Sequence, residues 1–145
     1  MIILPTVEVP VFSPQRTFWE KATLIHVECS KVPKYERRSV DRLSRHWYDL
    51  TMLYKNQIGQ AALANKALLN EVVKHKKIFF PGSDYNYDNC LQGQFKLLPG
   101  DEYLKVLKQD FQNMINTGMF YQTPPDFEEI LDTLHELENR ININD

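Results

Sequence analysis

The sequence contains few of the residues that form disulfide bonds, zinc sites or glycine-rich phosphate loops. It contains only two cysteines, Cys29 and Cys90, and their wide spacing argues against a disulfide framework or a zinc site. Among its 145 residues there are five glycines, and the sequence contains no glycine-rich phosphate loop, nucleophile elbow or HExxH motif. The enzyme classes that these three motifs define are therefore excluded. The sparse cysteine usage suits a reducing cytosol, so we expect a cytoplasmic protein.

The sequence also lacks an excess of charge of one sign and a long hydrophobic run. Its 17 basic and 19 acidic residues give a net charge of −2, so no overall basic field exists to attract nucleic acid. The apolar run MIILPTVEVPVF at residues 1–12 has no basic flank and is interrupted by two prolines, so it fits neither a signal peptide nor a membrane span. Its alternating valines predict an extended strand or arm.

What the sequence does contain is helical periodicity. With 43% hydrophobic and 25% charged residues, the chain has the composition of one globular domain. Apolar residues recur at helical spacing in segments that we expect to be separated by Gly59 and by a loop with a short strand at residues 95–98. The prediction is a mainly α fold, with an arm at residues 1–12 and a single helical domain at 13–145, whose five helices lie near residues 13–30, 41–56, 65–79, 101–117 and from 124 or 125 onward.

One lysine stands out in the first predicted helix, within RTFWEKATLIH at residues 16–26. Lys21 follows Phe18 by three residues and precedes Ile25 by four, which places it at the margin of the apolar stripe. A lysine at such a margin often extends its stem over apolar surface and keeps its charge in water. Alternatively, an ammonium that is partly shielded from water binds phosphate more strongly. Both interpretations stay open on the pattern alone.

The second predicted helix carries a polar row within SRHWYDLTML at residues 44–53. Arg42, Arg45, His46 and Asp49 lie on one side, next to an apolar side. As a simple helical pair, Arg45 and Asp49 would contribute only about 0.3–0.5 kcal/mol. If the first two helices pack together, Lys21 approaches this row. A carboxylate with lysine, arginine and histidine nearby could then anchor a nucleotide, orient a metal-bound phosphate or act as a base.

Two other patterns are interpreted as structural. His26 lies beside the apolar stripe of the first helix and is interpreted as a core histidine rather than a base. The HKK sequence at residues 75–77 is interpreted as the solvated end of the third helix, where cations are favourable. Neither is included among the candidate site residues.

The two stretches together resemble a known family. SPQRTFWEKATLIH followed by RLSRHWYDLTML is similar to the C-terminal part of the nucleotidyltransferase-like toxins of the AbiEii/AbiGii family, from bacterial type IV toxin–antitoxin and phage-abortive-infection systems. The later stretches EVVKHKKIFF, LLPGDEYLKVLKQDFQNMI and PPDFEEILDTLHELENRIN also resemble these proteins. The resemblance implies the helical half of a DNA polymerase β-like nucleotidyltransferase, with Lys21, Arg45 and His46 at the nucleotide and Asp49 as the active-site acid.

One element of the family pattern is missing. Such enzymes carry an Asp-x-Asp pair because two close carboxylates must hold the divalent metals on the triphosphate, and this sequence contains no Asp-x-Asp. We therefore expect a truncated or split C-terminal domain, inactive alone and without a metal site or cofactor of its own. Nucleoside triphosphate and Mg²⁺ would act as cofactors if a separate N-terminal nucleotidyltransferase half completed the site. The expected protein partners are such a half or an antitoxin protein.

Two alternatives remain open at this point. The chain could be a protein-interaction or homodimerisation module without catalytic activity, with an apolar interface that includes the N-terminal run. It could also be an RNA-binding adaptor that uses a basic loop, in which case its RNA affinity would fall steeply with salt. That loop contains Lys34, Arg37, Arg38 and Arg42.

Overall fold

The computed structural model describes residues 13–31 and 42–143, and this part of the chain is mainly α, as predicted. It contains six α-helices rather than five, one short 3₁₀ helix and no strand. The predicted arm at residues 1–12 and most of the basic loop lie outside the described residues, so the predicted domain division stays a prediction. The α-helices are α1 Pro14–Lys31, α2 Arg45–Tyr54, α3 Gln57–Leu63, α4 Lys66–Phe79, α5 Asp101–Asn116 and α6 Phe127–Asn142, and the 3₁₀ helix is Tyr87–Leu91.

Helix α1 is the centre of the bundle and packs against α2, α3 and α4. Its predicted apolar stripe is buried, and so are residues on the neighbouring faces, because other helices cover α1 from several sides. The two tryptophans of the core are fully buried and their indole N–H groups are satisfied. Trp19 donates to the carbonyl of Ala62 at 3.0 Å, and Trp47 donates to the carbonyl of Leu97 at 3.1 Å.

The prediction that Gly59 separates two helices is wrong. Helix α2 ends at Tyr54, and the side chain of Asn56 accepts the N–H of Ile58 at 3.2 Å, which starts a new helix, α3, with Gly59 inside it. A Cβ atom on Gly59 would lie 2.5 Å from the Cα of Tyr54. The glycine therefore permits a close approach between α3 and the end of α2 and does not break a helix.

The predicted strand at residues 95–98 is also absent from the described part of the chain. The alternation was informative about burial, because both Phe95 and Leu97 are buried. However, their N–H groups donate to side chains of α6 rather than to a second strand. Phe95 donates to Asn142 Oδ1 and Leu97 donates to Glu138 Oε2, each at 2.8 Å. The segment has no regular secondary structure, and polar side chains of α6 accept the N–H groups that a neighbouring strand would accept in a sheet.

Helix α2 begins later than predicted, at Arg45 rather than near residue 41, because a carboxylate from α5 organises the preceding turn. Arg42 adopts a positive φ of 61°. Its N–H and that of Ser44 each donate to Asp110 at 2.8 Å, and the Ser44 hydroxyl donates to the same carboxylate. Asp110 is itself buried. Helix α5 thus fixes the point from which α2 starts.

The last helix also starts later than predicted. Helix α6 begins at Phe127, with Asp126 at its N-cap, and not at the two prolines of residues 124–125. A residue that precedes proline is disfavoured in the α conformation, so the diproline keeps the chain extended before the helix. Within the described residues, no helix combines the length and the apolar character needed to cross a lipid bilayer.

Candidate functional site

The packing of α1 against α2 brings all four predicted site residues together. The Nζ atom of Lys21 lies 3.0 Å from Asp49 Oδ2 and 3.1 Å from His46 Nδ1. The Nε atom of Arg45 lies 3.6 Å from the other carboxylate oxygen, Oδ1 of Asp49. Asp49 thus bridges two cations from two helices. Of the predicted polar row, Arg45, His46 and Asp49 lie on α2, whereas Arg42 lies in the turn before the helix.

The contacts define the protonation state of His46. A lysine ammonium only donates hydrogen bonds, so Nδ1 of His46 must accept from Lys21 and the ring proton sits on Nε2. Burial lowers the pKa of His46, the positive charge of Lys21 lowers it further, and Asp49 opposes the shift. The imidazole is therefore neutral at pH 7, and its Nε2–H remains a donor.

The Lys21–Asp49 pair is neither fully buried nor fully solvated. The two side chains are 25% and 24% exposed, which shields the pair from water and still leaves it accessible to a ligand. An ammonium has three N–H donors, and contacts within the described part of the chain occupy two of those of Lys21. Because Lys21 and Arg45 face a single carboxylate, the group has a net positive charge that would favour an anion.

A further cation of this site, Lys76 on α4, was missed by the sequence interpretation. It is half-buried rather than a solvated helix end. Burial lowers its pKa, Glu20 opposes this and Arg16 adds to it, and the charge of Lys76 in turn lowers the pKa of His46. Lys76 therefore belongs to the same electrostatic group.

The signal that could have identified Lys76 is the one that identified Lys21. Lys76 follows Val72 by four residues and Val73 by three, and both valines are buried, so the lysine lies at the margin of the buried face of α4. Because Lys76 lies within three consecutive polar residues, 75–77, all three were interpreted as a solvated helix end.

Aromatic rings support the other side of the site. The guanidinium of Arg45 lies 5.7 Å from the ring centroid of Phe120, and Tyr48 packs edge-on against the same ring at 4.8 Å. Such a contact holds the flat guanidinium in place while its charge remains next to Asp49. Arg45 is thus oriented by both a ring and a carboxylate.

His26 is a core histidine, as the sequence suggested. It is fully buried, Nδ1 accepts the N–H of Lys96 at 2.9 Å, and Nε2 donates to the carbonyl of Asn86 at 2.9 Å. Burial lowers its pKa, in agreement with a neutral ring. Because both nitrogens have partners, His26 ties α1 to two loops and has no role at the site.

A comparison with protein families identifies the family of the chain. The family model described as "Nucleotidyl transferase AbiEii toxin, Type IV TA system" matches residues 2–133, a range that includes every residue of the site. The chain belongs to the AbiEii family. Neither the curated proteins nor the solved structures gave a significant match to it. Membership confirms the resemblance, whereas correspondence to only the C-terminal part of the family stays a prediction.

The AbiEii-family site, as described, does not fit a divalent metal. No group of three or more histidine, cysteine, aspartate or glutamate side chains with the arrangement of a metal site occurs within residues 13–31 and 42–143. Both oxygens of Asp49 face cations, and Mg²⁺ requires several oxygen ligands in octahedral geometry. The described residues suit the binding of an anion.

Proposed function

We propose that this AbiEii-family chain supplies the nucleotide-phosphate contacts of a nucleotidyltransferase site and is inactive on its own. The observation that carries the proposal is the position of Lys21, whose ammonium contacts Asp49 and His46 and whose side chain is 25% exposed. Arg45 and Lys76 add positive charge around it. A partly shielded group of cations with donors to spare is the chemistry that binds a polyphosphate.

Each residue has a distinct role in this proposal. Lys21 contacts the phosphates with its remaining N–H, and Arg45 and the Nε2–H of neutral His46 add further donors. Asp49 is the active-site carboxylate and also holds the two cations in position before the nucleotide arrives. Asp49 also opposes an anion, because it occupies one N–H of Lys21 and carries a negative charge itself.

A complete site needs a second component in this proposal. The carboxylates that hold divalent metals would come from an N-terminal nucleotidyltransferase half located on another polypeptide segment, since the sequence contains no Asp-x-Asp. The completed site would transfer a nucleotidyl group from a nucleoside triphosphate to RNA or protein and release pyrophosphate. The toxin–antitoxin assignment of the family supports an antitoxin as a further partner.

Calorimetric titration tests the proposal. A nucleoside triphosphate is titrated into the wild-type chain, into Lys21→Ala and into Lys105→Ala, which removes the same charge from an exposed position of α5. We expect saturable binding in the wild type and in Lys105→Ala, and a loss of at least about tenfold in Lys21→Ala, as for one charge-assisted contact. No binding to the wild type, or equal weakening by both variants, would contradict a phosphate site at Lys21.

A further inference from the structure

We infer that the end of α4 forms a stacking surface for the base of the nucleotide, next to the cations that hold its phosphates. The surface, which we call the aromatic ledge, consists of His75, Phe79 and Phe80. The inference rests on the proposed function and assigns a base subsite to the same site. The ligand class is a nucleoside triphosphate, with its phosphates at Lys21 and its base on the ledge.

Both phenylalanines of the ledge are exposed to solvent. Phe79 is 63% exposed and Phe80 is 56% exposed, whereas Phe18, Phe95 and Phe111 are buried in the core. Two adjacent exposed phenylalanines are costly to present to water, and such a patch commonly marks a binding surface. Every nucleobase has a π-face that stacks on an aromatic side chain irrespective of its sequence identity.

Hydrogen bonds hold the backbone that carries the ledge, and the rings of the ledge contact one another. The carbonyl of Phe80 accepts the hydroxyl of Tyr87 at 2.8 Å, and the N–H of Phe80 donates to the carbonyl of Lys76 at 2.8 Å. The ring of His75 lies 4.6 Å from that of Phe79 and 6.4 Å from that of Phe80. A ledge that is already ordered loses little conformational freedom when a base stacks on it.

A cation lies beside the exposed ring of Phe80. The Nζ atom of Lys76 lies 5.2 Å from the ring centroid of Phe80. Helix α4, which ends at the ledge, packs against α1, which carries Lys21, and Nζ of Lys21 lies 3.1 Å from Nδ1 of His46. The exposed ring therefore lies beside one cation, on a helix in contact with the helix that carries a second cation. A nucleotide has the complementary order, because a flat apolar base stands at one end and an anionic polyphosphate at the other.

Paired ligands and variants test the ledge. ATP and inorganic triphosphate are each titrated into the wild type, into Phe80→Ala and into Leu91→Ala, which shortens an apolar side chain that is also exposed, at 42%, on the 3₁₀ helix. Stacking of one base on an aromatic ring strengthens binding, so Phe80→Ala should weaken ATP binding by about tenfold. Inorganic triphosphate has no base, so its binding should stay unchanged. Leu91→Ala should change neither.

A fluorescent variant provides a second readout that does not depend on loss of affinity. The only tryptophans of the chain, Trp19 and Trp47, are fully buried, so Phe80→Trp introduces an exposed indole with its own red-shifted emission. ATP should bind this variant with wild-type affinity and quench the added emission, since an aromatic ring is retained. Inorganic triphosphate should bind without quenching it.

The outcomes separate the ledge from the phosphate site. If inorganic triphosphate binds the wild type but Phe80→Ala leaves ATP affinity unchanged and the added indole is not quenched, the ledge is overturned and the phosphate site stands. If neither ligand binds the wild type, both proposals fail. If Phe80→Ala abolishes self-association of the chain without a change in ATP affinity, the ledge binds a second copy instead, and the base subsite is overturned.

Discussion

Replacement of Asp110 by alanine should release the turn that precedes α2. The carboxylate is buried and accepts the N–H groups of Arg42 and Ser44, each at 2.8 Å, together with the Ser44 hydroxyl. Each buried donor that loses its acceptor costs about 1–3 kcal/mol. Most of the cost comes from the buried N–H of Ser44, because the N–H of exposed Arg42 can bind water instead. We therefore expect the free energy of unfolding to fall by about 2–4 kcal/mol.

Urea unfolding measures this loss. The midpoint for Asp110→Ala should fall while the slope of the transition stays constant, as expected when stability changes and the exposed area does not. Asp110→Asn should give a smaller loss, because its amide keeps one acceptor oxygen but places an NH₂ group against one of the donors. The matched control is Asp132→Ala, which removes an exposed aspartate from α6 and should leave the midpoint unchanged.

If Asp110→Ala unfolds at the same urea concentration as Asp132→Ala, the carboxylate does not organise the start of α2. A second consequence follows because α2 carries Arg45, His46 and Asp49. Folded Asp110→Ala should therefore bind nucleoside triphosphate more weakly than folded Asp132→Ala, which calorimetry under native conditions would detect.

Three further predictions concern the core. Gly59→Ala should lower the free energy of unfolding by about 1–3 kcal/mol in urea, because the new Cβ atom would clash with the backbone of Tyr54, although Gly to Ala normally stabilises a helix. Gly100→Ser should not lower it, because a Cβ atom at Gly100 has no neighbouring atom within 4 Å. Burial lowers the pKa of His26 in the folded chain, so on acidification His26 is protonated in the unfolded chain at a higher pH than in the folded chain. The free energy of unfolding should therefore fall as the pH drops below about 6.5. Cys29 and Cys90 are buried and burial raises the pKa of both thiols, so a thiol reagent should modify them only after unfolding.

Each of these predictions has an outcome that contradicts it. A more stable Gly59→Ala would show that α3 and the end of α2 are not in close contact. A urea midpoint that is constant between about pH 7.5 and 5.5 would contradict the buried neutral His26. Rapid modification of either cysteine in native buffer would show that its part of the core opens readily.

The helices could be predicted from periodicity, because burial of one face repeats every three or four residues. The same signal does not reveal how elements meet. In the sequence, Gly59 suggests the end of a helix. Only its contact with Tyr54 shows that the short helix α3 requires a glycine at this position. The alternation of Phe95 and Leu97 correctly indicated burial, but sequence spacing carries no information on whether a strand or the side chains of α6 will accept the N–H groups.

The candidate site was partly predictable for the same reason. Lys21 and Asp49 could be assigned to the polar margins of α1 and α2 by spacing within each helix, and the tertiary contact then joined them at 3.0 Å. Lys76 could not be placed, because the spacing along α4 does not say which neighbour its margin faces. The interaction with His46 depends on how α4 packs against α1, which is a property of the whole bundle.

The most direct test of the phosphate site is the opposite effect expected of its two oppositely charged residues. Triphosphate affinity is measured by calorimetry in metal-free buffer for the wild type, Lys21→Ala and Asp49→Asn. Asp49 occupies an N–H of Lys21 and repels an anion, so Asp49→Asn should tighten binding by about tenfold, while Lys21→Ala should largely abolish it. Unchanged or weaker binding in Asp49→Asn, or unchanged binding in Lys21→Ala, would contradict a phosphate held by Lys21.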